Sequence, residues 1–451
     1  MTDLKPTGPG PTGPGPTDPG PAVLGPADSK PTDRIEVTHV LRNVLLETPA
    51  GGLSTSLFDV VVGDGRIASV SAASGPIPPG STSEDLGGRL LLPAMAEPHA
   101  HLDKALLGDS VPNLTGDLMG AVDAMIAAAS RGHFHFDDTV IRATAALERM
   151  LINGVTAVRS HADVWEGVGS ENVRAIDTAR RAFAGLIDVQ IVALMGGPLT
   201  GAEGAGNRAA LRLALEHGLD LVGGCPALDP DPVGHIRVLL EAATEAGLPI
   251  DFHIDETLDP NMLTLRELAR QIQDTGFPHR VTASHCVSLA VQSHADQQLI
   301  AQEIAAAGIA VVALPHTNLF LQGRDHPVGM PRAITPINVL RDAGVMVVAG
   351  ADNVQDPFNP MGRCDPLETA ALLAMASHQM PRTAFEMVSN DVRAVLGLER
   401  VHMNPGDPAD FIAVEATSVR SAVADAPGRR TYRAGRLVAE STWTSRVHRP
   451  T

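Results

Sequence analysis

Arg89–Lys104 reads RLLLPAMAEPHAHLDK, an apolar run that stops on two histidines one residue apart. Successive strand side chains point to opposite faces, so His99 and His101 share a face about 7 Å apart, a spacing from which two imidazoles grip one metal ion. An isolated HxH is as often a surface pair that binds nothing, so the decision rests on the remaining chain. Seven more apolar runs follow: VTAVRSHADV, IDVQIVALM, LDLVGGCPAL, LPIDFHIDE, RVTASHC, IAVVALPHTN and VMVVAGADN. Stretches with helical character separate them, among them Asp123–Ser130, Thr139–Leu151 and His235–Ala246. Alternating β and α segments predict a parallel sheet, and eight such units close naturally into a (β/α)8 TIM barrel, an α/β fold.

Outside these runs the pattern changes. Residues 1–33 are a Pro/Gly/Thr tract with almost nothing to bury, which reads as a disordered tail. Short alternating runs, HVLRNVLLET and FDVVVGDGRIASVSAA on one flank and DPADFIAVEAT and RTYRAGRLVAES on the other, predict small strands. Residues 34–93 and 403–451 are therefore expected to pair into a composite β-sandwich domain around a barrel at 94–402.

Composition narrows the function. The 451 residues carry 44% apolar side chains, enough for a large core, and a formal charge of −18 without a basic cluster, which argues for a small-molecule substrate and against nucleic acid. No apolar run approaches twenty residues and no charged-then-apolar leader opens the chain, so neither a membrane partner nor secretion is expected. Cys225, Cys286 and Cys364 lack CxxC spacing, which fits a reducing, cytoplasmic location.

Polar residues cluster at the ends of the apolar runs: His99 and His101, His161, His253 and Glu256, His285, His316, Asp352. Strand ends converge on one barrel mouth, so sequence separation is no obstacle to a single site. A one-metal hydrolytic site wants about four N/O ligands, a position for water and groups that move protons. His99, His101, His253 and Asp352 supply the first set; Glu256 and His285 remain for proton transfer. Each has a bland alternative: a solvated loop acid for Glu256, a packed histidine for His285, a helix N-cap for Asp352. His161 and His316 stay in that bland class. The only lysines are Lys5, Lys30 and Lys104, so no mid-barrel lysine is present to bridge two ions, and a single metal is favoured.

The ordered motifs PHAHLDKAL, VRSHADV, DFHIDE, TASHC, LQGR and GADNVQDPFNPMG resemble the amidohydrolase superfamily and, within it, the cytosine deaminase-like group. The resemblance covers nearly everything after the tail. It implies that His99, His101, His253 and Asp352 bind one divalent ion, zinc or iron. It further implies that Glu256 protonates a ring nitrogen, that His285 hydrogen-bonds the attacking water, and that Asp352 or His285 takes the water's proton. The reaction implied is hydrolytic deamination of a small N-heterocycle at a cyclic amidine carbon. Relatives are often oligomeric, which leaves a homo-oligomer open.

Departures from the group concern the substrate. Gly196 and Gly197 stand where cytosine deaminases carry a glutamine after the third strand, Asn353 replaces a second aspartate, and Phe358 replaces a tryptophan. Gln322, Gly196, Asn353 and Phe358 are the expected substrate contacts. The Asp-Asn pair resembles that of an aminotriazine-processing relative that releases an alkylamine, although that relative departs at the acid kept here as Glu256. Cyclic-amide hydrolysis is a second enzymatic reading, disfavoured by the lysine census. A non-catalytic metal-binding barrel is a third, disfavoured because such a protein has no need of Glu256 beside an open metal position.

Overall fold

The computed structural model describes residues 37–47, 56–132 and 135–449. The tail expected at 1–33 lies outside the described residues. Eight strands, Met95–Ala100, Val155–Val164, Asp188–Met195, Leu221–Gly224, Ile250–Ile254, Val281–His285, Ile309–Ala313 and Val347–Ala349, form one parallel sheet in sequence order. A parallel bridge between Ala100 and Asp352 joins the last strand end to the first, so the sheet closes as a (β/α)8 barrel. All eight sequence runs become these strands. Their residues are apolar on both faces because helices cover the outside while side chains fill the inside; all ten residues of the second strand are buried.

The helices start and stop on local chemistry. Asp117, Asp231 and Ser293 accept hydrogen bonds from backbone N–H groups of the first turns of Leu118–Ser130, Pro232–Ala246 and His294–Ala306. Gly247 and Gly276, at φ of 67° and 62°, end Pro232–Ala246 and Thr264–Thr275 in the left-handed conformation that glycine adopts without a Cβ penalty. Leu118–Ser130 begins five residues before the Asp123–Ser130 stretch read from the sequence, and that extra turn reaches the barrel mouth.

Two four-stranded sheets accompany the barrel. Val37–Val44, Phe58–Gly63, Arg66–Ala72 and Thr82–Asp85 form one; Phe411–Val414, Arg429–Arg433 and Arg436–Glu440 form the other with Leu90–Pro93. Leu41, Val60, Ile67, Leu91, Phe411 and Tyr432 share one apolar cluster, so both chain flanks contribute to a common core. Arg429 ties the second sheet to the barrel: its guanidinium makes two bonds of 2.9 and 3.0 Å to the buried Asp365 carboxylate.

Candidate active site

The barrel strands deliver their terminal residues to one point. His99 Nε2 lies 3.0 Å from His253 Nε2, which lies 3.2 Å from His101 Nε2. Asp352 Oδ1 is 3.2 Å from His101 Nε2 and 3.6 Å from His99 Nε2. Four donors that share one ion at 2.0–2.2 Å stand about 3.3–3.6 Å from one another, so these separations of 3.0–3.6 Å are close to, and for three of the four slightly shorter than, those of such a set. The chemistry of the donors fits as well. Burial and mutual repulsion lower the pKa of His99, His101 and His253 well below the usual histidine range, which keeps the imidazoles neutral. Both Asp352 oxygens are buried and make no hydrogen bond. A buried carboxylate without a donor and three imidazole nitrogens turned on one another are costly unless a cation sits between them.

The supporting shell is built from the strand interiors. Ser284 Oγ lies 2.9 Å from His99 Nδ1 and fixes which nitrogen faces inward. Glu97 accepts from the backbone N–H groups of His99 (3.2 Å) and Ala351 (3.0 Å), coupling the first strand to the segment that carries Asp352. His285 and Asp352 adopt left-handed backbone conformations, φ 70° and 66°, at the ends of their strands. Non-glycine residues held there cost on the order of 1–3 kcal/mol each, a cost usually met at functional sites.

Glu256 and His285 stand beside the donors. Glu256 Oε1 is 3.6 Å from His285 Nδ1, and Asn318 Nδ2 lies 3.1 Å from that same nitrogen and 3.5 Å from Oε1. Asn318 donating to Nδ1 leaves the hydrogen on His285 Nε2, which faces Asp352 Oδ2 at 3.9 Å. Burial, reinforced by the Asp352 charge, raises the Glu256 pKa well above the carboxylate range, which favours its protonated form. Asp255, next in chain, turns away and accepts from the backbone N–H groups of Thr264 and Leu265.

A cavity of about 470 Å³ opens over this cluster, a size typical of small-molecule sites. Of the expected substrate contacts, Asn353, Gly196 and Phe358 line it. Gln322 does not: its amide donates to the Glu256 carbonyl oxygen at 2.9 Å, so it holds the acid in place from behind. The LQGR motif gave its position along the chain but not the direction of its side chain. His316 is bonded to Thr369 Oγ1 at 3.1 Å and lies away from the cavity.

Several site residues are absent from the sequence reading. Lys104, Asp163 and Trp165 line the cavity, as do Leu118, Met119, Val122, Met125 and Ile126 from one helix. His161, set aside as a packed histidine, is fully buried and stacked on His99 with ring centroids 3.9 Å apart, and neither of its nitrogens has a hydrogen-bond partner. Lys104 had a visible signal, since it is the only lysine after residue 30 and it follows the HxH pair directly.

Comparison with known proteins agrees with the fold. The model of the amidohydrolase family matches residues 140–439. A pterin deaminase of Rhizobium rhizogenes is 32% identical over 364 residues, 79% of this chain and 82% of the relative. An N-isopropylammelide isopropyl amidohydrolase of Pseudomonas sp. is 24% identical over 404 residues, covering 86% and 93% of the two chains. Among solved structures, 5-methylcytosine deaminase from Klebsiella pneumoniae liganded with phosphonocytosine superposes with a TM-score of 0.80 at 26% identity, covering 91% of this chain and 100% of that one. The chain belongs to the amidohydrolase family, on its deaminase-like side.

Proposed function

We propose that this enzyme hydrolytically deaminates a two-ring N-heterocycle of the pterin kind at a cyclic amidine carbon, using one zinc or iron ion held by His99, His101, His253 and Asp352. The observation that carries the reaction type is Glu256: a buried carboxyl at the mouth of a convergent donor set, 3.6 Å from His285 and with its pKa raised by burial. When bound, the divalent ion supplies Lewis acidity, which lowers the pKa of a water from 15.7 towards about 7.

The chain's own groups do the rest. Glu256 hands its proton to the ring nitrogen next to the amidine carbon, which makes that carbon electrophilic. His285 Nε2–H holds the attacking water, and Asp352 accepts the proton that the water loses. That proton passes on to the exocyclic nitrogen, the C–N bond breaks with ammonia as leaving group, and the remaining hydroxyl proton goes to the Glu256 carboxylate, which leaves an oxo group on the ring and restores the acid.

Support for a two-ring substrate comes from the wall opposite. Gly196 and Gly197 add no side chain there, and the nearest atom to a Cβ built on Gly196 is Trp165 Cβ at 3.8 Å. The apolar helix face at Leu118, Met119, Val122, Met125 and Ile126 covers the outer part of the cavity. The relative that acts on a pterin is also the one with 32% identity.

The test is ammonia or amine release by metal-loaded protein from pterin, cytosine and N-isopropylammelide. Ammonia from pterin at the highest kcat/KM is expected. Isopropylamine as the main product would favour the aminotriazine reading, and no product from any of the three would remove the deaminase reading.

A further inference from the structure

The substrate edge that lies away from the reacting carbon needs a reader, and the third barrel strand offers only Gly196 and Gly197. Among the polar groups on the cavity wall are an ammonium and a carboxylate in direct contact, Lys104, after the first strand, and Asp163, on the second. Lys104 is 3% exposed, a depth at which an ammonium group ordinarily has every hydrogen accounted for. Its Nζ donates to Asp163 Oδ1 at 2.8 Å and lies 3.3 Å from His101 Nδ1, one imidazole away from the catalytic centre.

That second contact is unsatisfactory once His101 ligates through Nε2. A neutral imidazole bound at Nε2 carries its hydrogen on Nδ1, so the ring and the ammonium would face each other as donors. Lys104 is then left with hydrogens that no acceptor among the described residues takes. Asp163 mirrors this. Its Oδ1 receives Lys104, whereas its Oδ2 has no donor among the described residues. Its backbone is clamped, with the N–H donating to Asp103 Oδ2 at 2.9 Å and the carbonyl accepting from Asn172 Nδ2 at 3.3 Å. A free donor and a free acceptor thus stand side by side on a rigid frame, with the Phe358 ring centroid 5.5 Å from Nζ.

We infer that Lys104 and Asp163 together read a lactam edge of the heterocycle, the ammonium donating to its carbonyl oxygen and the carboxylate accepting from the adjacent ring N–H. This inference rests on the deaminase reading and names the substrate class more closely: rings in which a cis-amide adjoins the amidine carbon. A carboxylate accepts only and an ammonium donates only, so the pair rejects a ring with the opposite pattern, because two donors and two acceptors would then meet in a buried site.

The test is equilibrium binding to metal-loaded, full-length protein carrying Glu256→Gln to suppress turnover, followed by pteridine fluorescence. The probes are pterin, with a 2-amino-4-oxo edge, and 2,4-diaminopteridine, in which that edge is inverted. Pterin is expected to bind at least tenfold more tightly, and Lys104→Met to erase the ratio. Asp163→Asn, which keeps an acceptor for Lys104 and replaces the free oxygen by a donor, is expected to shift the ratio towards the diamino ring; it serves also if Lys104→Met fails to fold. Equal affinity for the two probes in the parent, a ratio unchanged by either substitution, or equal weakening of both probes by Lys104→Met would overturn the inference. The binding ratio is independent of turnover, so wild-type protein that releases no ammonia overturns the deaminase reading instead.

Discussion

Replacing Glu256 by glutamine isolates the proton-transfer role from everything else in the site. The two side chains have nearly the same shape, so packing is preserved, and burial beside Asp352, which raises the Glu256 pKa, also favours an uncharged group at this position. The contacts at 3.5–3.6 Å to Asn318 and His285 are long, which makes their contribution to stability small. Stability is therefore expected to change by less than about 1 kcal/mol. Glutamine cannot release a proton to the ring nitrogen, and general acid catalysis is ordinarily worth about 10²–10⁴ in rate, or roughly 3–5 kcal/mol of barrier. The predicted outcome is a fall in kcat of about a thousandfold with metal content and melting temperature near wild type, read by ammonia release, elemental analysis and thermal unfolding. A variant that keeps more than a tenth of wild-type kcat would refute the role given to Glu256, and one that loses the metal would make it a ligand.

Other substitutions follow from specific contacts. The Glu97 carboxyl, pushed up to about 8 by burial, keeps its proton in the fold at pH values where the unfolded chain has released it. Its stabilising contribution is complete below the unfolded value near 4.5 and is lost as pH rises towards 8, a difference on the order of 5 kcal/mol. Denaturant titrations at pH 5 and pH 8 should show the wild type losing several kcal/mol relative to Glu97→Gln; parallel profiles would show that Glu97 is not protonated in the fold. Arg429→Met leaves the buried Asp365 carboxylate without its two charge-assisted bonds and is expected to cost about 3–5 kcal/mol, whereas a loss under 1 kcal/mol in chemical denaturation would mean that the pair is not a tether. Gly196 has room for a side chain towards Trp165, so Gly196→Gln should fold normally and lower kcat/KM for pterin at least tenfold while cytosine is spared; equal loss on both rings would place the second ring elsewhere.

The legible part of this chain is the part governed by periodicity and by strand ends. The barrel strands are apolar because both faces are buried, and the residues that break the pattern at their ends, His99, His101, His253, Glu256, His285 and Asp352, come together in space because every strand end in a closed parallel barrel faces the same mouth. What the sequence hides is side-chain direction in the loops beyond. Gln322 and Asn353 are equal candidates by position, yet one supports the Glu256 backbone while the other lines the cavity and donates to Asp356. Lys104 and Asp163 look like solvated charges until their burial is seen. Leu118 and Met119 look like loop residues until Asp117 is seen to cap the helix that carries them over the mouth.

The central claim is a one-metal hydrolytic deaminase, and its most direct test is ammonia release from pterin during titration of metal-stripped protein with zinc or iron. The rate should rise linearly and stop at one ion per chain. A plateau at two ions per chain, or no ammonia at any metal content, would contradict it.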